Sequence, residues 1–261
     1  MSHVLKFFFL LGIVFAHPAL SQASSAANTV VNLRNPHFNA GNWGEVKAYL
    51  DSRRIVASDV TRLSLIQCRL TTFPAWIIEK MPNLLYLDIQ DNAITALPEN
   101  IDRLTRLSNI KAQNNKLAGL PPSFGNLTNL IKANFSHNNL KNLSKDLGKL
   151  VKLIQFDLSH NQIGTLPDLS GLTNLQTLSL RGNEGVCFEP DSAPLTLLRH
   201  LDLAHCNLKT VPSFLGAFSS LRKLNLEGNP LRHEGFKNKW GFKSRWGKDE
   251  LKKKFESKVR F

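Results

Sequence analysis

Across residues 60–231 apolar and polar positions follow one recurring beat. The stretch "LIQFDLSHNQIGTLP" (153–167) is a single period, with apolar residues at Leu153, Phe156, Leu158, Ile163 and Leu166. Its front half alternates, which predicts a short strand with one buried face. Its back half is irregular and reaches a Leu-Pro pair, where proline fixes φ and removes a donor, suiting an irregular or helix-starting position. The beat restarts at Val60, Leu84, Leu107, Leu130, Leu153, Leu175, Leu198 and Leu221, at spacings of 22 to 24 residues. Eight strands are predicted, each followed by a turn and a return leg.

One polar position is locked to this apolar pattern. Eight residues after each start stands Asn92, Asn115, Asn138, Asn161, Asn183 or Asn229, with Cys68 and Cys206 in the two other units. The chain turns inward there, so backbone groups of the turn are buried and need partners. An amide side chain both donates and accepts, so stacked asparagines can bond neighbouring turns as a structural ladder. The Leu-Pro or Val-Pro pair recurs at Pro98, Pro121, Pro167 and Pro212, while Ser144 and Glu189 replace the proline in two units.

A unit written L-x-x-L-x-L-x-x-N-x-L-x-x-L-P resembles the leucine-rich repeat family, whose signature allows asparagine or cysteine at the ladder position. The resemblance covers Val60 to about Leu231. It implies an α/β solenoid, with a curved parallel sheet on the concave face and short helices or irregular segments on the convex face. It also implies a non-enzymatic protein-binding module. Each unit of such a solenoid contacts only its neighbours, so the core is a column and the ends need caps.

On the strands, residues two, four and six after each start are expected to face solvent on the concave side. From these, Arg62, Tyr86, Asp88, Lys111, Lys132, Asp157, Arg181, His200, Asp202 and Lys223 are the candidate partner-binding residues. Five of the 24 such positions are basic and four acidic, so the face is mixed and suits a protein or peptide rather than a phosphate backbone. Aromatic and arginine side chains are the usual anchors of such contacts.

The flanks have different grammars. Residues 1–23 carry a weakly basic start, an apolar run at 7–16 and small residues Ser21 and Ala23, the three-part pattern of a secretory signal peptide. The run is too short to span a bilayer. Export to a periplasmic, secreted or cell-surface destination is expected, with residues 24–41 as a flexible lead. Residues 42–59 read as a helical cap, with Asn42 before a helical pattern and Val46 and Leu50 on one face. Residues 232–261 read as a basic C-terminal cap, with Leu251, Phe255 and Val259 four apart.

Charge sharpens the view of the tail. The chain is +13 overall, and residues 232–261 hold eleven Lys or Arg against four Asp or Glu. A basic, Trp-containing amphipathic tail can bind anionic lipid or another polyanion, with the repeats as scaffold. That is the alternative to a capping segment with a solvated lysine face. No nucleic-acid-binding motif accompanies the charge, and nucleic acid is not an expected partner.

Little chemistry is written in the chain. No P-loop, GxSxG, HExxH or paired CxxC occurs. No enzyme activity, cofactor, metal or small-molecule substrate is expected. His137, His160 and His205 share one repeat position and invite a metal or pH reading, but no carboxylate or cysteine of suitable spacing joins them. Cys68 and Cys206 lie six units apart, roughly 30 Å at the strand spacing, and cannot pair. A Cys187–Cys206 bond is conceivable and unforced.

Overall fold

The computed structural model describes residues 29–33, 40–188, 195–211, 215, 218–231 and 259–260. Its strands are β1 (Thr29–Asn32), β2 (Val60–Ser64), β3 (Tyr86–Asp88), β4 (Asn109–Lys111), β5 (Lys132–Asn134) and β6 (Gln155–Asp157). They continue as β7 (Thr165–Leu166), β8 (Thr177–Ser179), β9 (Cys187–Phe188), β10 (His200–Asp202), β11 (Lys223–Asn225) and β12 (Val259–Arg260). Ten of them form one sheet in the order β1-β2-β3-β4-β5-β6-β8-β10-β11-β12, while β7 and β9 form a separate pair. Every pairing in both sheets is parallel. One strand per unit stacked in chain order is an α/β leucine-rich repeat solenoid.

Alternation along each strand sets which side is core. Leu63, Leu87, Ile110, Ala133, Phe156, Leu178, Leu201 and Leu224 are buried on one face of successive strands. Behind them lie the start leucines and the returning-leg residues Ile101, Phe124, Leu147 and Leu172, also buried. Phe124 meets Phe135 edge to face at 5.3 Å. Each such side chain removed from water contributes about 1.5–3 kcal/mol, so the column is held by many equal increments.

Among the described residues, the first four return legs are short helices. An α-helix, α2 (Trp76–Lys80), serves the first unit, and 3-10 turns at Ile101–Arg103, Pro122–Asn126 and Lys145–Lys149 serve the next three. Where Ser144 replaces proline, its Oγ accepts from the Asp146 N–H at 3.1 Å and caps the turn. Glu189, the other departure, lies outside the described residues. These legs pack so closely that a Cβ on Gly125 or Gly171 would collide with the backbone of the next or preceding unit.

The N-terminal end corrects one expectation. Thr29–Asn32 is no flexible lead: it is the first strand of the sheet, paired with β2. Val31 and Leu33 are buried, the Leu33 N–H donates to Ser64 O, and the Cys68 thiol donates to Leu33 O at 3.0 Å. An open β2 edge would leave such groups and the apolar end of the column in water, which is why so short a strand is ordered. Next comes α1 (Trp43–Ser52), where Asn42 Oδ1 accepts from the Gly44 N–H at 2.8 Å. Its Val46 and Leu50 are buried, and Trp43 packs on Trp76 with ring centroids 5.5 Å apart.

At the other end, Val259 belongs to β12, which continues the sheet beyond β11. It is therefore a strand residue and not the last member of a helical stripe with Leu251 and Phe255, which lie outside the described residues, as do residues 1–23. Pairing satisfies the backbone groups that the last repeat strand would otherwise expose.

Candidate functional site

Strand register lays the solvent-facing residues in three rows across the sheet. The first row runs Arg62, Tyr86, Asn109, Lys132, Gln155, Thr177, His200, Lys223. The second runs Ser64, Asp88, Lys111, Asn134, Asp157, Ser179, Asp202, Asn225. The third, just past the strands, contains Gln90, Gln113 and Arg181. Arg62, Lys111, Lys132, His200 and Lys223 are exposed, and Tyr86, Asp157, Arg181 and Asp202 are half-buried.

Asp88 departs from the expectation for this face. Only 3% of it is exposed, so it is not a free contact residue. Tyr86 Oη donates to its Oδ2 at 3.0 Å, the Gln90 amide donates to Oδ2, and the Gln90 N–H donates to Oδ1. Loss of water raises its pKa above the ordinary carboxylate value, against the lowering effect of these hydrogen bonds. Alternation had placed it outward correctly; the bulk of Tyr86 and Gln90 beside it removes the solvent.

Tyr86 is itself clasped. The Arg62 guanidinium lies 4.2 Å from its ring centroid and Lys111 Nζ lies 5.8 Å away. Burial raises its phenol pKa. The ring is therefore pre-positioned between two cations, so little side-chain freedom remains to be lost on contact with a partner.

The second row has a backbone task that the sequence reading missed. Asp157 Oδ1 accepts from the Ser159 N–H at 3.0 Å, and Asp202 Oδ1 from the Ala204 N–H at 2.9 Å. Asn134 and Asn225 do the same for Ser136 and Glu227. Aspartate or asparagine there turns the chain off the strand by bonding its own backbone two residues on. The signal was the recurrence of Asp or Asn four residues after the start in five of the eight units.

Between β3 and β8 the face sinks into an open trough of about 340 Å³. It brings together four candidate residues, Tyr86, Lys111, Lys132 and Asp157, with Asn109, Asn134, Gln155, Thr177 and Ser179. Arg62 joins through the Tyr86 ring. Arg181, His200, Asp202 and Lys223 do not line it.

Past the strands stand the ladder residues. Asn138 Nδ2 donates to the carbonyls of Ala112 (3.0 Å), Phe135 (3.0 Å) and Ser136 (3.3 Å), and its Oδ1 accepts from the Leu117 N–H at 2.9 Å. The same pattern links Asn161 to Phe135, Leu158, Ser159 and Leu140. Cys206 keeps part of it: its thiol donates to Leu180 O at 3.3 Å, and burial raises its pKa.

One position earlier, the chain is left-handed in every unit. Gln67, Asp91, Asn114, His137, His160 and His205 have φ between +52° and +57°, and Gly182 and Gly228 have φ +70°. Asn, Asp and His are the non-glycine residues that tolerate this region best. That accounts for the recurring histidines without a metal. His137 and His160 stack at 4.3 Å and 13°. A Cβ on Gly182 would sit 2.7 Å from His160 Nδ1, so this glycine makes room for the ring as well as the turn. Desolvation, then the charges of His137 and Arg181, lower the His160 pKa. Among the described residues no three His, Cys, Asp or Glu side chains converge as a metal site.

None of Cys68, Cys187 and Cys206 is in a disulfide. Cys187 lies on β9, in the small sheet, with its sulfur 3.5 Å from Thr165 Oγ1. Among the described residues no helix is long and apolar enough to cross a membrane.

The model described as Leucine Rich repeats (2 copies) matches residues 151–187, and that described as Leucine Rich Repeat matches residues 197–218. The chain matches no curated protein. Among solved structures it is similar to a leucine-rich repeat protein of Leptospira interrogans, at 22% identity and a TM-score of 0.47. The likeness covers 78% of this chain and 62% of that one, so the chain spans less than two thirds of that protein's length. Eight units, each with one strand, a ladder residue and a left-handed residue just before it, repeat the pattern on which the two leucine-rich repeat models match, and the chain is similar to that family over these residues.

Proposed function

We propose that this chain is an exported, non-enzymatic module that holds a protein or peptide partner against its concave sheet, over β3 to β8. Leucine-rich repeat domains generally mediate protein–protein interaction, and that general role carries to this chain. The observation supporting the location is the trough of about 340 Å³, whose lining combines a clasped aromatic ring with two exposed lysines. Rigid aromatic anchors and charges that fix register are the parts from which such contacts are made. Export rests on the signal-peptide pattern of residues 1–23.

The test compares two baits. Wild type and Thr177→Trp, which fills the trough without altering charge, are used to capture proteins from the medium and envelope of the producing cell. A protein retained by wild type and lost from Thr177→Trp supports the site; equal retention overturns it. Sequencing the N-terminus of the exported chain should read from Ser24. A cytosolic chain beginning at Met1 would remove export from the proposal. If truncation after Leu231 leaves melting unchanged and abolishes only binding to anionic vesicles, the lipid-binding alternative for the tail replaces this reading.

A further inference from the structure

Resting on the concave-face reading, we infer that the partner presents an extended acidic segment, and that a basic band along the strand-start edge of the sheet receives it. The band consists of the positions one before, one after and two after each unit start. Among these 24 positions stand Arg62, Arg106, Lys132, Lys152, Arg199, Arg222 and Lys223, against the single acid Asp59. The acids of the sheet stand elsewhere. Asp88, Asp157 and Asp202 are in the second row, where each lends an oxygen to its own backbone. Alternation within one unit hides this segregation, because the cations gather only when units stack.

All seven cations are exposed, and none is in a salt bridge among the described residues. Two are held in place by neutral neighbours: Arg106 donates to Asn83 Oδ1 at 3.3 Å and Lys152 to Asn129 Oδ1 at 2.7 Å. Arg199–His200 and Arg222–Lys223 lie side by side at the starts of β10 and β11, with the Arg222 N–H bonded to Arg199 O. Exposed, partly ordered cations without carboxylate partners, gathered along one edge of the sheet, attract and orient a partner of opposite charge.

Dimensions select the kind of anion. Eight strands at about 4.8 Å make the band roughly 34 Å long, and four residues of extended chain make it roughly 10 Å wide. Ten extended residues span at most about 33–36 Å, so a ten-residue acidic segment fits. Duplex DNA would bring about twenty phosphates over that length, one per ~1.7 Å, far more than seven cations neutralise. Asn109 and Gln155 stand among the cations and offer the amide groups that a peptide backbone can bond.

The experiment uses the purified full chain and fluorescein-labelled decaglutamate, with binding read by anisotropy at low salt and at 0.5 M salt. Binding at low salt that is lost at high salt is expected. A variant with Arg106→Gln, Arg199→Gln and Arg222→Gln should bind at least tenfold more weakly and melt like wild type. A variant with Lys252→Gln, Lys253→Gln and Lys254→Gln removes the same charge from the tail and should change binding less than twofold. If the tail variant loses as much as the band variant, or the band variant binds like wild type, the proposal fails. It fails too if a ten-base-pair DNA duplex or phosphatidylglycerol vesicles bind the band more tightly than decaglutamate does. Ser179→Trp, which enters the trough from the second row and lies outside the band, separates this reading from the one beneath it: it should leave decaglutamate binding intact, and full partner capture by it would remove the trough and leave the band standing.

Discussion

Two stacks of asparagine run along this molecule, one past the ends of the strands and one at their starts. In the first, Asn115, Asn138, Asn161 and Asn183 are buried, and Asn138 alone makes four hydrogen bonds, two within its own unit and two to the preceding one. In the second, Asn83, Asn129 and Asn174 each donate to one carbonyl of the preceding unit, Ser58, Thr105 and Val151, at 2.7–2.9 Å. Asn129 and Asn174 are exposed. The side chains and their carbonyl acceptors are alike. Water is what differs: a buried group that loses its partner stays unpaired, and an exposed one is re-solvated.

Substitutions along both stacks can break or sharpen that contrast. Asn138→Ala should cost about 1–3 kcal/mol in urea unfolding, because buried donors and acceptors are left without partners. Asn138→Cys should cost about half as much, since a thiol still donates to a carbonyl as Cys206 does to Leu180, but accepts poorly. Asn129→Ala should cost less than about 0.5 kcal/mol, as exposed substitutions usually do. A loss at Asn129 equal to that at Asn138 would show that burial is not the deciding variable.

Smaller effects read the same principle through pH. Asp88 has a raised pKa, so the folded chain holds its proton more tightly than the unfolded chain. Its burial then costs stability as pH rises through the raised value, and that cost is absent below the ordinary carboxylate value of about 3.9. Asp88→Asn, which copies Asn134 and Asn225, should therefore melt higher than wild type at pH 7, with the gain vanishing near pH 3. A gain that persists in acid would refute the desolvation account. His160 has a lowered pKa, so the unfolded chain binds its proton first, and stability falls as pH drops from about 6.5 through the lowered value. His160→Asn, matching Asn114 at the left-handed position, should flatten that slope. An unchanged slope would mean that His160 does not carry it.

Much of the fold was legible because its rules are local. The eight starts, the strand alternation and the ladder column repeat within every unit. The second asparagine stack was missed, since Asn83, Asn129 and Asn174 recur only in alternate units and a scan at one-unit spacing passes over them. The histidines were visible, but their shared position records a left-handed turn, which Asn114, Asp91 and Gly182 mark equally well. At the site, Tyr86, Lys111, Lys132 and Asp157 do meet around one trough. Asp88 does not join them as a free group, because its exposure depends on the size of the neighbouring Tyr86 and Gln90.

From sequence alone came the period, the number of units, the side of each strand that is core, and the need for an amide or thiol at each inward turn. These follow from alternation and from the rule that buried backbone groups are paired, both of which act over a few residues. Tertiary structure alone decided that Thr29–Asn32 and Val259–Arg260 extend the sheet, that Arg62 and Lys111 clasp Tyr86, and that seven cations from six units come together at the strand starts. Those features join residues about 23 or more positions apart, and only the stacking of whole units, driven by their shared apolar face, brings them together.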